Sequence, residues 1–293
     1  MDNQAKTSSA TLKPETGMVA YFDILGYLNF LSKNTDDALD ETAIKVIEYV
    51  SVAVEESKNN FTKNLQFVEG VDKERFLAMI RKIRTITFSD TILMTWSYEE
   101  LEQEANKGWK WSVFIFICSL FSRQMFDYGM PVRGVLSFGR FFVKDGCFAG
   151  KPIVDAYSLS TDLDLAITVI DKEAEKEMRH QCTFNHWQAV EYLAPRKSGI
   201  AEELLALNIA MSPRDNLSFA LKPLYGDLAQ RVSESFWAHN KTVSPKEHGK
   251  LQNTEMFLRF LKLKVPGQFL NPRDELNPIT GLPKWLDGRI PGL

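Results

Sequence analysis

MVAYFDILGYLNFL, Met18 to Leu31, is the stretch on which the reading of this chain turns. Its first seven residues form a continuous apolar run of the length of a central β-strand, and Gly26 then allows a sharp turn into a helix. One residue breaks the pattern. Asp23 lies among Val, Tyr, Phe, Ile and Leu, where a carboxylate is costly to bury unless it is paired or holds a metal.

Working outward, residues 1–17 are polar and read as a flexible arm. Residues 36–58 open with acids and carry apolar residues at three- and four-residue spacing, which predicts an amphipathic helix. The stretch 60–80 carries no clear pattern. IRTITFSDTILMTW (83–96) is rich in β-branched and aromatic residues and is broken at Ser89-Asp90, which predicts two antiparallel strands joined by a tight turn. Residues 99–106 are acidic and read as exposed. Residues 108–127 predict a long buried helix ending near Gly129. PVRGVLSFGRFFVKDGCFAG (131–150) predicts a second antiparallel pair turning at Asp145-Gly146. GKPIVDAYSLS starts a helix with Pro152 in its first turn, LDLAITVID (163–171) reads as a strand, and a charged helix follows to about residue 179. Beyond 180 the pattern weakens, apart from a helix near 249–263. The tail 265–293 holds five of the twelve prolines and four glycines and reads as extended coil. The order is β-α-β-β-α-β-β-α-β-α, an α+β arrangement close to the ferredoxin-like plan, with helices packed on the sheet.

Composition narrows the classes. The 293 residues are 44% hydrophobic and 25% charged, with twenty Phe and six Trp, which is ample for a folded core. A net charge of −3 gives no basic field for nucleic acid or anionic membrane, so any phosphate binding must be local. Cys118, Cys147 and Cys182 form no CxxC pair, and the four histidines show no zinc-ligand spacing. The N-terminus lacks the apolar core of a signal peptide, and WSVFIFICSLF is too short to span a bilayer. A cytoplasmic protein with reduced thiols is expected.

Asp23 ends the leading strand, and Asp90 lies in the turn of the strand pair expected beside it. Two carboxylates from neighbouring strand ends can share a divalent ion, and an oxygen-only set suits magnesium or manganese. The plainer alternative is a pair of solvated turn acids.

Four segments in this order resemble the class III nucleotidyl cyclases. YFDILGYLNF looks like their first metal-binding motif, a strand ending in Asp-Ile before a Gly-aromatic turn. TFSDTILM resembles the second, with Ser89 in place of the usual glycine. VRGVLSFG resembles the Arg-bearing strand that follows, and AGKPIVDAYSL takes the place of the Gly-led helix after it. The match covers about residues 18–170 and implies a cyclase domain over 18–180. The flexible arm 1–17 would precede it. An extension over 181–264 would pack on that domain, and a Pro/Gly-rich tail, 265–293, would end the chain.

The resemblance implies that Asp23, the backbone carbonyl of Ile24 and Asp90 hold two Mg²⁺ or Mn²⁺ ions per active site. There a ribose 3′-hydroxyl would attack the α-phosphorus and pyrophosphate would leave. Backbone N–H groups over Leu25, Gly26, Tyr27 and Leu28 would cradle phosphate oxygens. The chain departs from the purine cyclases at the base-reading positions, which fall on Ile86 and Cys147. The transition-state Asn and Arg fall on Val154 and Ser158, or, one residue shifted, on Asp155 and Tyr157. Arg84, Arg133, Arg140, Lys144 and Lys151 are the candidate replacement cations. Arg84 shares strand parity with Ile86, Phe88 and Asp90, and Lys151 opens a helix. Tyr27 and Phe88 could wall a small base.

The RGVLSFG and GKPIVDAY variants are most like the pyrimidine cyclases of Pycsar anti-phage defence. That resemblance implies cyclic UMP, or else cyclic CMP, made for a companion effector by a homodimer with shared active sites, with no nucleic-acid or membrane partner. The alternatives are an inactive cyclase-like nucleotide sensor and an interaction module.

Overall fold

A computed structural model describes residues 13–33, 44, 47–59, 73–98, 107–144, 147–181, 188–210, 224, 227–239 and 241–265. The expectations for the arm before residue 13, the first turns of the helix at 36–58, the acidic stretch 99–106, the Asp145-Gly146 turn and the tail beyond 265 lie outside the described residues.

Among the described residues, eight strands form one mixed sheet. Its first strand, β1 (Glu15–Ile24), is the apolar run on which the sequence turned. After it come α1 (Tyr27–Lys33), α2 with its described part over 47–59, and α3 (Lys73–Arg81). The hairpin β2 (Arg84–Phe88) and β3 (Thr91–Ser97) leads to α4 (Lys107–Asp127) and then to the long β4 (Val132–Lys144). A short β5 (Cys147–Gly150) precedes α5 (Lys151–Asp162), β6 (Thr168–Ile170) and α6 (Lys172–Gln181). The chain closes with β7 (Ala189–Ala194), β8 (Glu202–Leu207), α7 (Leu228–Trp237) and α8 (Pro245–Lys264).

Strand order is β2-β3-β1-β4-β6-β8-β7, with β5 hydrogen-bonded to the far half of β4. Among the described residues only the β4–β6 pair is parallel, and α5 makes the crossover between them. This is an α+β sheet with helices on both faces, and β1 is central in it.

The pleat of β1 sorts its side chains between two cores. Met18, Ala20, Phe22 and Ile24 face the α2, α3, α4 and α6 side. Val19, Tyr21 and, by alternation, Asp23 face α5, α7 and α8. Burying a side chain such as Phe22 contributes about 1.5–3 kcal/mol. Along β4, Gly134 lies opposite Phe22, and a Cβ there would sit 2.5 Å from the Phe22 ring. The glycine of VRGVLSFG is thus a contact glycine. Helix α4 is apolar around most of its circumference because it is enclosed, with Trp111, Phe114, Ile117 and Phe121 fully buried.

Past residue 162 the structure departs from the sequence reading. The strand expected over 163–171 shrinks to β6. Leu163 makes only an isolated bridge to Arg196, and Asp164 to Ala166 turn onto α8, where Thr254 Oγ1 accepts the Ala166 N–H at 2.8 Å. Strands β7 and β8 and helix α7 were not anticipated. They continue the same sheet from β6, so the segment after 180 is built onto the sheet that carries β1. Helix α8 begins at Pro245, under a Ser244–Glu247 capping box, four residues ahead of the expectation.

Candidate functional site

Antiparallel pairing sets Asp23 of β1 opposite Thr91 of β3 on one side and Arg133 of β4 on the other. The residue before Thr91 is Asp90, in the hairpin turn, and its carbonyl accepts the Ile24 N–H at 2.9 Å. The two acids, 67 residues apart in the chain, therefore meet at one end of the sheet. Tyr21, two residues back on the same face, bonds Thr91 through its hydroxyl at 3.2 Å. Burial raises the pKa of that phenol, the Thr91 bond lowers it, and both Asp23 and Asp90 raise it further. Both carboxylates thus act on one hydroxyl. Asp23 itself is shifted upward. Burial is the largest cause, the Arg133 guanidinium opposes it, and the Asp90 charge adds to it.

Arg133 explains how the apolar run tolerates its acid. Its Nε donates to Asp23 Oδ2 at 2.7 Å, with both side chains largely buried. Its Nη1 reaches Thr161 O at 3.2 Å and Leu163 O at 3.4 Å, where α5 has run out of intrahelical donors. The sequence reading expected a metal to compensate Asp23; an arginine on the neighbouring strand already does so. The pair uses Oδ2 and leaves Oδ1 outside the bond. Among the described residues no three His, Cys, Asp or Glu side chains gather as a metal group. The oxygen atoms at this end include the two carboxylates and backbone carbonyls such as that of Ile24, beside the Tyr21 and Thr91 hydroxyls, a set suited to a hard divalent cation.

The other expected residues divide by position. Gly26 has φ +79°, a left-handed conformation that favours glycine, and it makes the turn between β1 and α1. The Leu25 N–H donates to Pro131 O at 2.9 Å, so it does not face a phosphate as expected. Tyr27 packs partly buried on the core below α1, and Leu28 is exposed. Ile86 and the exposed Phe88 lie on β2 just before Asp90, with Phe88 paired to Thr91 across the hairpin.

Arg84 does not reach the acids. It forms a two-pronged ion pair with Glu15, Nη1 to Oε1 at 2.9 Å, at the opposite end of β1. Six residues of strand, about 20 Å, separate it from Asp90. Cys147, Arg140, Lys144 and Lys151 are also at that far end, because Phe141 is paired both with Glu15 and with Gly150. Lys151 is exposed and bonded to Asp155 on its own helix. Val154, Tyr157 and Ser158 lie on the outward face of α5, and the Tyr157 ring stands edge-on to Tyr21 at 5.8 Å.

The sequence reading missed Lys197. From the turn between β7 and β8 its Nζ donates to Thr161 O, the carbonyl that Arg133 also holds. Burial lowers the Lys197 pKa, as do the charges of Arg133 and Lys250, while Asp164 and Asp23 oppose them. The available signal was the turn chemistry of RKSG (196–199) between two apolar runs.

No protein-family model matches the sequence, nor does any curated protein. Among solved structures the chain is similar to a bacterial light-regulated adenylyl cyclase, at 12% identity and TM-score 0.46, over 79% of this chain and 59% of that one. It thus spans under two thirds of that protein's length. It is also similar to the catalytic core of a rhodopsin-guanylyl cyclase with converted specificity in complex with ATPalphaS, at 11% identity and TM-score 0.42, over 67% of this chain and 97% of that one. A third is the adenylyl cyclase CyaB from P. aeruginosa, at 12% identity and TM-score 0.39, over 69% of this chain and 97% of that one.

Proposed function

We propose that the protein is a nucleotidyl cyclase. It would convert a pyrimidine ribonucleoside triphosphate, UTP ahead of CTP, to the 3′,5′-cyclic monophosphate and pyrophosphate. The single observation that supports this is the meeting of Asp23 and Asp90 at one sheet end, joined by the Ile24 N–H to Asp90 carbonyl bond at 2.9 Å. Asp23, Asp90 and the Ile24 carbonyl would hold Mg²⁺ or Mn²⁺, which when bound supplies Lewis acidity at the phosphates and at the ribose hydroxyl. The chain's own groups do the rest. Arg133 fixes the Asp23 carboxylate through Oδ2 and keeps the burial of its charge tolerable. In the reaction the ribose O3′–phosphorus bond forms, the bond to the pyrophosphate oxygen breaks, and the hydroxyl proton is lost to solvent.

The preference for a pyrimidine rests on Ile86, which stands at the purine-reading position and offers no hydrogen bond to a base edge. The cyclic product would serve a companion effector in anti-phage defence, and the active unit would be a homodimer with shared sites.

A nucleotide sensor without turnover is a second reading with one observation in its favour. Asp23 already has a partner in Arg133 and does not need a metal to be buried.

Incubation with each of the four ribonucleoside triphosphates and Mn²⁺, scored for pyrophosphate and cyclic monophosphate, separates the two. A cyclase forms product with UTP or CTP, and Asp23→Ala and Asp90→Ala each reduce it by at least ~100-fold. Binding without product in the wild type leaves the sensor. Neither binding nor product leaves an interaction module.

A further inference from the structure

A turn from the half of the chain that the sequence left unassigned grips the end of α5. A helix leaves its last carbonyls without intrahelical donors, and its end frays unless they are taken up. Here Arg133 takes the Thr161 and Leu163 carbonyls with the same guanidinium that holds Asp23. The turn between β7 and β8 supplies the rest. The Lys197 N–H donates to Asp162 O at 2.7 Å, the Asp164 N–H donates to Pro195 O at 3.1 Å, and Arg196 forms the bridge to Leu163.

Side chains tighten the grip. Arg196 Nε donates to Asp162 Oδ2 at 2.6 Å, and its Nη1 donates to Glu202. Ser198 donates to the same Asp162 carboxylate twice, from its N–H to Oδ1 at 3.0 Å and from its hydroxyl to Oδ2 at 3.2 Å. The Arg196 and Asp162 side chains are only 24% and 25% exposed, so solvent screens this pair less than a surface one. The turn is itself held by the sheet: Ala194 pairs with Glu202 at its mouth, and β8 is bonded to β6.

We propose that this turn sets the Asp23 carboxylate to receive its cation, acting through the end of α5 and Arg133, with Asp162 and Arg196 as positioning residues. The proposal rests on the cyclase reading in taking a divalent cation as what the acid pair receives. The physical reason lies in the guanidinium fork. With the Thr161 and Leu163 carbonyls fixed, Nη1 is occupied there, Nε meets Asp23 Oδ2, and Oδ1 is left outside the pair. Were those carbonyls to move away, the guanidinium would turn both prongs onto the carboxylate, the geometry arginine favours, and compete with the cation for both oxygens.

The test uses the full-length protein and Mn²⁺ alone as the probe, with free Mn²⁺ followed by electron paramagnetic resonance at one fixed pH. Arg196→Gln and Asp162→Asn should each weaken Mn²⁺ binding about tenfold, the lower end of what loss of a group behind a metal ligand does. Charge alone gives opposite signs, since removing a nearby cation tightens Mn²⁺ binding and removing a nearby anion loosens it. In an Arg133→Gln background neither substitution should weaken binding further, because no guanidinium is left to position. Lys172→Gln, which removes an exposed lysine bonded to Glu202 from α6, should bind like wild type. Wild-type affinity in both variants, effects of opposite sign, or full additive losses in the Arg133→Gln background would each overturn the proposal. So would an equal loss in Lys172→Gln, or a wild type that does not bind Mn²⁺. If Arg196→Gln does not fold, Asp162→Asn with and without Arg133→Gln decides by the same additivity. If no triphosphate is turned over yet the affinities keep the expected order, the positioning role stands and the cyclase reading falls.

Discussion

Asp23 is a residue whose ordinary chemistry has been shifted by its place in the pleat. Burial on the α5 side raises its pKa above the usual 3.8, and Arg133 offsets only part of that shift. Between 3.8 and the raised value the folded state holds more protons than the unfolded one. The stability carried by protonated Asp23 is therefore complete below 3.8 and is lost as pH rises through the folded value. A divalent cation at the acid pair would bind the deprotonated form and reverse that loss. Stabilisation by Mn²⁺, read as the rise in thermal midpoint, should accordingly be small near 3.8, grow across the window above it and level off, and it should vanish in Asp23→Asn. A rise independent of pH, or one that survives Asp23→Asn, would place the cation elsewhere. The acid was conspicuous in the sequence because charge in an apolar run is rare. Its partner was not, because pairing Arg133 with Asp23 requires the β1–β4 register, which no local pattern encodes.

At the scale of elements, what was legible was what local chemistry dictates. The β2–β3 hairpin appears where β-branched runs flank Ser89-Asp90, and α4 where apolar residues cover a whole helical circumference. What was not legible depends on partners distant in sequence. Strands β7 and β8 carry Glu191, Glu202 and Glu203 among their apolar residues, so their pattern is weak, and they are strands because β6 offers an edge to pair with. The candidate site follows the same division: Asp23, Ile24 and Asp90 belong to strong local patterns, whereas Lys197 comes from a weak one. Arg84 was misread because strand parity fixes the face a side chain takes and says nothing of which end of the strand is near the acids.

The hairpin carries its own prediction. Ser89 has φ +54° and Asp90 has no positive φ, the pattern of a type II′ turn, whose first central position favours glycine. A left-handed non-glycine residue costs about 1–2 kcal/mol. Ser89→Gly removes that cost and gives back part of it through a freer unfolded chain, roughly 0.4–1 kcal/mol. A net gain of about 0.5–1 kcal/mol in urea denaturation is expected, with no loss of triphosphate binding. A destabilised Ser89→Gly would mean that the serine hydroxyl contributes more to the turn than its conformation costs.

The whole molecule raises the question of how groups at opposite ends of one sheet could serve one reaction. Within a single chain Lys151 starts α5 near the Glu15 end of β1, eight residues of strand, about 26 Å, from Asp23. Val154 and Tyr157, both more than half exposed, lie on the outward face of the same helix. A second copy packed head to tail across that face would bring one subunit's Lys151 end toward the other's acids, as a symmetric pair requires. The protein should sediment as a dimer, and Val154→Glu should shift it toward monomer. Mixing two variants gives the sharper check. Asp23→Ala and Lys151→Ala should each be weakly active alone. If a site takes its acids from one chain and Lys151 from the other, random reassociation makes half the dimers mixed, each with one intact site, and activity returns to about a quarter of wild type. If Lys151 serves the acids of its own chain, every mixed site lacks one of the two and nothing is regained. Reassociation without recovery would therefore remove Lys151 from the shared site, whatever the sedimentation result.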